Sequence, residues 1–228
     1  MTEEIEALAK ELGTTTDKII AKIDELPEFK PAVLQGLRQP MEAGRVCITR
    51  ADGNVVFPSR FMLVAASNPC PCGYFGDKKH DCTCSGKKIS RYLSKVSGPL
   101  LDRIDLHIEV PAVEYSDLEV HGKSESSAEM KKRVDRARKI QTERYEGTGI
   151  HSNSRLTQSL IEKHCRLGYA ANEMLKNAFE SLGMSARAYN RILKVARTIA
   201  DLDGSENIED YHIAEAIQYR SLDRKFWS

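Results

Sequence analysis

"DELPEFKPAVLQGLRQPMEAGRVCITRADGNVVFPSRFMLVAASNPCPCGYFGD", residues 24–77, decides the fold of this chain. It opens on an acidic pair, Asp24–Glu25. Pro31 then starts a helical pattern that runs to residue 42, with Val33, Leu34, Leu37 and Met41 facing inward and Gly44 as its stop. Two β-prone runs, Val46–Thr49 and Val55–Phe57, flank Asp52–Gly53, a pairing typical of hairpin turns. "RFMLVAAS", residues 60–67, is a continuous apolar run of the kind buried on both faces of a parallel sheet. It ends at Asn68–Pro69.

Upstream, residues 3–26 read as two short helices. Ile5, Leu8, Ala9 and Leu12 share one face, Gly13 breaks it, and "TTTDKIIAKIDEL" restarts with Ile19, Ile20 and Ile23 inside. The spacing is that of a helix-turn-helix, and a plain helical hairpin accounts for it as well. Downstream, "KKISRYLSKV" is amphipathic through Ile89, Tyr92, Leu93 and Val96. "LLDRIDLHIEV" passes from a helical turn into a strand alternating Leu106, Ile108 and Val110, closed by Pro111. Residues 113–127 are a polar linker. Everything beyond reads as helix, beginning with a long basic one. Its cations, Lys131, Lys132, Arg133, Arg136, Arg138, Lys139 and Arg144, suit a solvated face better than a DNA-facing stripe. Ser185 is a natural cap for a later helix, and Gly204 follows its end.

The expected architecture is therefore α/β, with parallel strands plus a β-hairpin, followed by an all-α domain. The expected boundaries are a helix pair over 1–23, the α/β part over 24–112, the linker over 113–127 and the helical domain over 128–228. The 228 residues suffice for such an arrangement, and a formal charge of +1 leaves any basic surface local. No apolar run reaches the length of a membrane span, and the acidic N-terminus is unlike a signal peptide, so the expected compartment is the cytoplasm.

Thiols stay reduced there, which bears on Cys70, Cys72, Cys82 and Cys84. Their pattern, C-x-C-x9-C-x-C, can close a tetrahedral zinc site that pins a loop too polar to fold on its own. His80 is an alternative ligand, and loose reduced thiols are the alternative to a metal. Four protein ligands leave no open position, so the expected zinc is structural. Cys47 and Cys165 stand apart as core residues.

The order of these segments resembles a known family. Residues 24–77, together with "RYLSKVSGPLLDRIDLHIEVP" (91–111) and "SARAYNRILKVARTIADLDG" (185–204), are similar to the magnesium-chelatase-like AAA+ ATPases of the ComM type, ring-forming motors of DNA processing. The resemblance starts at Asp24 and runs to the end of the chain. It implies roles. Asp24 and Glu25 match the Walker B pair, one holding magnesium and one orienting the attacking water. Asn68 matches sensor 1, an amide that positions that water. Arg103 matches the arginine finger, which reaches a nucleotide on the neighbouring subunit. Arg187 matches sensor 2, with Arg191 one turn later on the same helix face. The hairpin matches one that points into the ring's pore, where Arg45 and Arg50, with Arg60 at its far end, would meet DNA phosphates. ATP with magnesium, DNA and self-association into a hexameric ring are the cofactors and partners so implied.

The sequence departs from the family pattern in one respect. It contains no G-x-x-x-x-G-K-[ST] loop to cradle phosphates; "SGKK" at 85–88 lies within the cysteine insert and has no strand before it. Lys22, two positions before Asp24, also argues for a helix where a Walker B strand should lie. The expectation is a C-terminal part of such an ATPase, without ATP hydrolysis of its own, whose site a P-loop-bearing partner restores. Its rivals are a non-catalytic remnant that binds DNA or protein through the hairpin and basic helix, and a degenerate structural product. Porphyrin metallation is set aside, because no feature here binds a porphyrin.

Overall fold

The computed structural model describes residues 19–50, 53–77, 79–111 and 125–220. They fall into two compact units that divide between Ile104 and Asp105, ahead of the compositional shift at residue 112.

In the first unit, β1 (Ile19–Ile23) pairs in parallel with β4 (Phe61–Ala65), in register from Ile19↔Phe61 to Ile23↔Ala65. This corrects the helix expected over "DKIIAKI". Three isoleucines in five residues are stiff at χ1 and suit a pleated ladder, and the pairing with β4 outweighs the helical spacing. Residues 1–18, the rest of the expected helix pair, lie outside the described residues. A 3₁₀ turn (Leu26–Glu28) leads into α1 (Pro31–Gly36) and α2 (Arg38–Ala43). The single helix expected here is broken at Leu37. Pro40 has no N–H to donate, and its ring crowds the carbonyl of Gly36. Leu34 is buried, whereas Val33 is exposed. Gly44 ends α2 in the left-handed region at φ 62°, as a stop glycine should.

The hairpin forms as expected from β2 (Arg45–Arg50) and β3 (Gly53–Pro58), with Arg50 opposite Gly53; its tip residues 51 and 52 are not among those described. Cys47 is exposed on β2 rather than a core residue. β4 also departs from expectation. Met62 is 56% exposed and Val64 48%, so the strand is not covered on both faces. Parallel strands are normally sandwiched between layers, and this sheet has two strands among the described residues. Beyond the cysteine loop, α3 (Gly86–Leu93) is capped by Ser85, whose Oγ accepts from the Lys88 N–H, and buries Ile89 and Tyr92. A single turn, α4 (Gly98–Leu101), buries Leu100 and Leu101.

The second unit begins with residues 105–111. The expected strand of Leu106, Ile108 and Val110 joins no ladder among the described residues, and all three side chains are exposed. Its backbone is tied at His107, which donates to the Tyr219 carbonyl at 2.8 Å. Helices follow: α5 (Ser127–Arg144), α6 (Gln158–His164), α7 (Tyr169–Leu182), α8 (Ala186–Asp203) and α9 (Asp210–Gln218). Ser126 and Glu129 form a reciprocal capping box on α5. Ser185 caps α8 and Gly204 ends it, both as read from the sequence. Leu175, Ile192, Ala196, Ala200 and Ile213 make the centre of this unit's core. Among the described residues no helix is long and apolar enough to cross a membrane.

Candidate nucleotide site and metal centre

Because β1 and β4 run parallel, the segments leaving them emerge at the same edge of the sheet. Ala66 donates its N–H to the Ile23 carbonyl at 2.8 Å, and Leu26 donates to the Ala66 carbonyl at 2.9 Å. These two bonds lace the turn carrying Asp24 and Glu25 to the segment carrying Ser67 and Asn68. The carboxyl ends of parallel strands are where open α/β sheets bind ligands. Asp24, Glu25 and Asn68 are all exposed there. The Asp24 carboxylate accepts from the Glu25 N–H at 2.9 Å. Glu25 sits at φ 51° and ψ 48°, a left-handed conformation uncommon for a residue with a Cβ. Local strain of this kind concentrates where a side chain must be aimed. Asp24 and Glu25 thus follow a strand, not the helix that the reading of residues 14–26 had given.

Arg103 belongs to the same unit but is held elsewhere. Its guanidinium makes an ion pair with Glu42 on α2, and its Nη1 donates to the Pro99 carbonyl at 2.5 Å. The side chain is 8% exposed. Arg187 and Arg191 lie on α8 of the helical unit. Arg187 is exposed in the first turn, and Arg191 pairs with Asp105. Arg45 and Arg50 are exposed at the two ends of β2.

The four clustered cysteines converge. Cys70 is buried and the other three are half-buried. Sγ of Cys70 lies 3.3 Å from that of Cys72 and 3.7 Å from that of Cys82, and Cys72 to Cys82 is 3.6 Å. With Cys84 included, all four sulfurs fall within 4.8 Å of one another. A zinc ion with Zn–S of about 2.3 Å puts its sulfurs about 3.8 Å apart, so the donor set fits that ion. Sulfurs at these distances are not disulfide-bonded. His80 is not part of the set. Its ring stands 3.5 Å from the Asp77 carboxylate and stacks on Tyr74, with centroids 4.9 Å apart.

The thiols do not titrate alike. The Tyr74 N–H and the Cys70 thiol hold Cys72 down to about 5. The Cys84 N–H pulls Cys82 downward, but desolvation and the thiols of Cys72 and Cys70 outweigh it and push Cys82 up to about 12. Desolvation, followed by the Cys72 thiol, raises Cys84. A divalent ion favours the thiolate forms that Cys82 and Cys84 otherwise resist.

Two features escaped the sequence reading. In the helical unit, Asp201 is buried and accepts from three side chains: Arg144 at 2.6 and 2.9 Å, Arg197 at 3.1 Å and the Asn153 amide at 2.8 Å. Tyr145 completes the network by donating to Asn153 Oδ1 at 2.6 Å. Arg144 and Asn153 come from distant segments with no local signal, whereas Arg197 stands one turn before Asp201 on α8, an i,i+4 pair visible in the sequence. The other is Glu42, 61 residues from Arg103 in sequence. The basic face of α5, by contrast, is largely neutralised in place, with Lys131 on Asp135, Arg133 on Glu125 and Lys139 on Glu143.

Comparison with known proteins matches residues 14–118 to the family described as magnesium chelatase, subunit ChlI, and residues 124–220 to the C-terminal domain of that subunit. The first match takes in β1, so the likeness begins before Asp24, where the sequence reading had started it. Among curated proteins, the competence protein ComM of Haemophilus influenzae is 44% identical over 94% of this chain and 41% of its own length. YifB of Escherichia coli is 41% identical over 89% of this chain and 39% of its own. An uncharacterized Mycobacterium tuberculosis protein, Rv2897c, is 34% identical over 87% and 39%. The chain spans about two fifths of the length of these relatives. With two consecutive family matches along its length and the expected motifs in the family's order, this chain belongs to the magnesium-chelatase-like family, of the ComM type.

Proposed function

We propose that this chain carries the water-orienting half and the helical lid of an ATP-driven, ring-forming motor that acts on DNA, and that a separate segment supplies the phosphate-binding loop. The parallel pairing of β1 with β4 carries this reading, because it sets Asp24–Glu25 beside Ser67–Asn68 at one sheet edge. Magnesium bound with ATP supplies neutralisation of the phosphate oxygens, and Asp24 is the residue that would hold it. Glu25 orients the attacking water, and the Asn68 amide fixes that water's second hydrogen bond. Arg103 serves a nucleotide on a neighbouring copy, and Arg187, with Arg191 one turn later, takes the sensor 2 role on the lid. The four cysteines hold a structural zinc that closes the loop following Asn68, in a reducing compartment such as the cytoplasm.

A fluorescent ATP analogue tests the division of labour. The chain alone should bind it weakly. Addition of a P-loop-bearing segment from a ComM-type relative should raise the affinity at least tenfold, about 1.4 kcal/mol. Equal binding with and without that segment would refute the proposal.

A second reading, a non-catalytic DNA-binding module, is favoured by Arg45 and Arg50, both exposed on the hairpin. DNA binding that weakens with salt and falls in Arg50→Ala, with no nucleotide dependence under any condition, would select it.

A further inference from the structure

We propose that Tyr74, Phe75 and His80 on the cysteine-clasped loop, together with Lys87, Lys88 and Arg91 on α3, form a stacking site for single-stranded DNA, separate from the hairpin arginines.

Two consecutive aromatic rings stand in water on a short polar loop. Tyr74 is 44% exposed and Phe75 51%. Two tight turns fix the backbone that presents them. Gly73 donates its N–H to the Cys70 carbonyl at 3.0 Å, and Asp77 donates to the Tyr74 carbonyl at 3.1 Å. Gly73 and Gly76, on either side of the rings, take φ 86° and 85°, a region that glycine enters without strain. The loop buries Cys70 and leaves both rings outside. The Tyr74 ring also stacks on His80, whose side chain is itself 62% exposed. Rings held this way lose little conformational freedom when a flat partner arrives.

Charge selects the partner. Residues 70–95 carry six lysines and arginines against two aspartates. Lys87, Lys88 and Arg91 are exposed on α3, a helix without an acidic residue, whose other face buries Ile89 and Tyr92. Asp77 turns back on its own loop, accepting from the N–H groups of Lys79 at 2.7 Å and His80 at 2.9 Å. The cysteines tie the rings to the cations. Tyr74 stands two residues after Cys72 and Lys87 three after Cys84, and the four sulfurs lie within 4.8 Å of one another. Two residues reach about 7 Å and three about 10 Å, so both groups stay close to one clasp.

Exposed rings flanked by cations fit an unpaired nucleic-acid strand. Its bases offer flat faces to the rings, and its phosphates meet the lysines and arginine. A duplex keeps its base faces stacked inside. An acidic protein would satisfy the cations but offers no flat faces to the rings.

That the strand is DNA rests on the proposed function. The stacking itself does not, and it needs neither ATP nor a P-loop. Failure to gain nucleotide affinity with a P-loop segment therefore bears on the proposed function, while strand binding by the isolated chain bears on this site.

The experiment titrates the 228-residue chain into a fluorescent oligothymidine of about 20 nucleotides and reads anisotropy, beside a duplex and an oligouridine of equal length. The single DNA strand should bind about tenfold more tightly than the duplex. Tyr74→Ala and Phe75→Ala should each weaken strand binding about tenfold, and Tyr74→Trp should preserve it. Phe75→Leu, which keeps apolar bulk and loses the flat face, should weaken it as Phe75→Ala does. Lys87→Gln combined with Lys88→Gln should lower the log–log salt slope by about 1. Circular dichroism and zinc content are measured for every variant. If Tyr74→Ala loses its fold or its metal, Phe75→Leu decides, and protein that holds no zinc at all still decides through the same ring comparison. Affinity unchanged in Phe75→Ala and Phe75→Leu, a loss confined to Arg50→Ala, equal binding of the duplex, or tighter binding of oligouridine would overturn the proposal.

Discussion

Leu26 donates its backbone N–H to the carbonyl of Ala66 at 2.9 Å, so the acidic turn after β1 and the segment after β4 are fastened to each other rather than merely near. Through this bond the positions of Asp24, Glu25 and Asn68 depend on one piece of backbone geometry. Glu25, immediately before Leu26, takes a left-handed conformation at φ 51° and ψ 48°.

Glu25 therefore carries a conformational cost separable from its chemistry. Glu25→Gly should raise the stability of the first unit by about 1 kcal/mol, since glycine enters that region without Cβ strain. Glu25→Val should lower it by about 1–2 kcal/mol, because branching at Cβ worsens the strain. Urea unfolding of the two variants beside wild type measures both. A destabilised glycine variant would show that the backbone there is not strained.

The cysteine centre makes a stoichiometric prediction. Protein purified without chelator should carry one zinc per chain by elemental analysis, and Cys82→Ala should reduce it several-fold while exposing residues 70–85 to protease. The pH dependence follows from the need for thiolates. Cys72 is already held near 5, but Cys82 is raised to about 12, so binding must expel its proton and affinity must fall as pH falls. Zinc retention that is flat between pH 8 and pH 5 would contradict four-thiolate ligation.

The buried hub of the helical unit should be its most sensitive polar position. Asp201→Ala leaves Arg144 and Arg197 facing each other without their shared carboxylate, at a cost of about 3–5 kcal/mol. Urea denaturation followed by helix signal reads this directly. A loss below about 1 kcal/mol would place the network among surface ion pairs.

His164 gives that unit an acid limit. Burial, then the charges of Lys163, Arg144 and Arg197, lower its pKa from 6.5. Its Nε2 is buried without a partner, and its ring meets Tyr145 edge-on at 5.3 Å. A group whose folded pKa is depressed by burial favours its neutral form. The stabilisation is complete above the unfolded pKa of 6.5 and is lost as pH falls through the lower folded value. The difference in urea midpoint between pH 7.5 and pH 5 should shrink in His164→Gln. An unchanged difference would assign the acid sensitivity to other groups.

Elements with local signals were legible in the sequence. Asp52–Gly53 marked the place of the hairpin, although Gly53 itself begins β3 opposite Arg50; Gly44 and Gly204 marked helix ends, and Ser185 marked a cap, because turn and cap chemistry is settled within a few residues. Ile19–Ile23 was misread because its spacing suits a helix and its strand character comes from a partner far along the chain. Leu106, Ile108 and Val110 were misread the other way: the alternation is present, but no strand among the described residues pairs with it. Pro40 was a visible signal that the helix over 31–42 would break, and it was passed over. The cysteines' convergence followed from composition and spacing. The Glu42–Arg103 contact and the reach of Arg144 and Asn153 to Asp201 had no local trace, whereas Arg197 and Asp201 are an i,i+4 pair that the sequence shows.

The central claim is that Asp24, Glu25 and Asn68 form a hydrolytic half-site that a P-loop completes. ATP turnover tests it most directly, measured for the chain alone, for a P-loop-bearing segment of a ComM-type relative alone, and for the two together, with wild type and Glu25→Gln. The account predicts no turnover by either piece, turnover by the mixture, and at least a hundredfold loss in the mixture made with Glu25→Gln. Turnover by the wild-type chain unaided, or a mixture indifferent to Glu25→Gln, would contradict it.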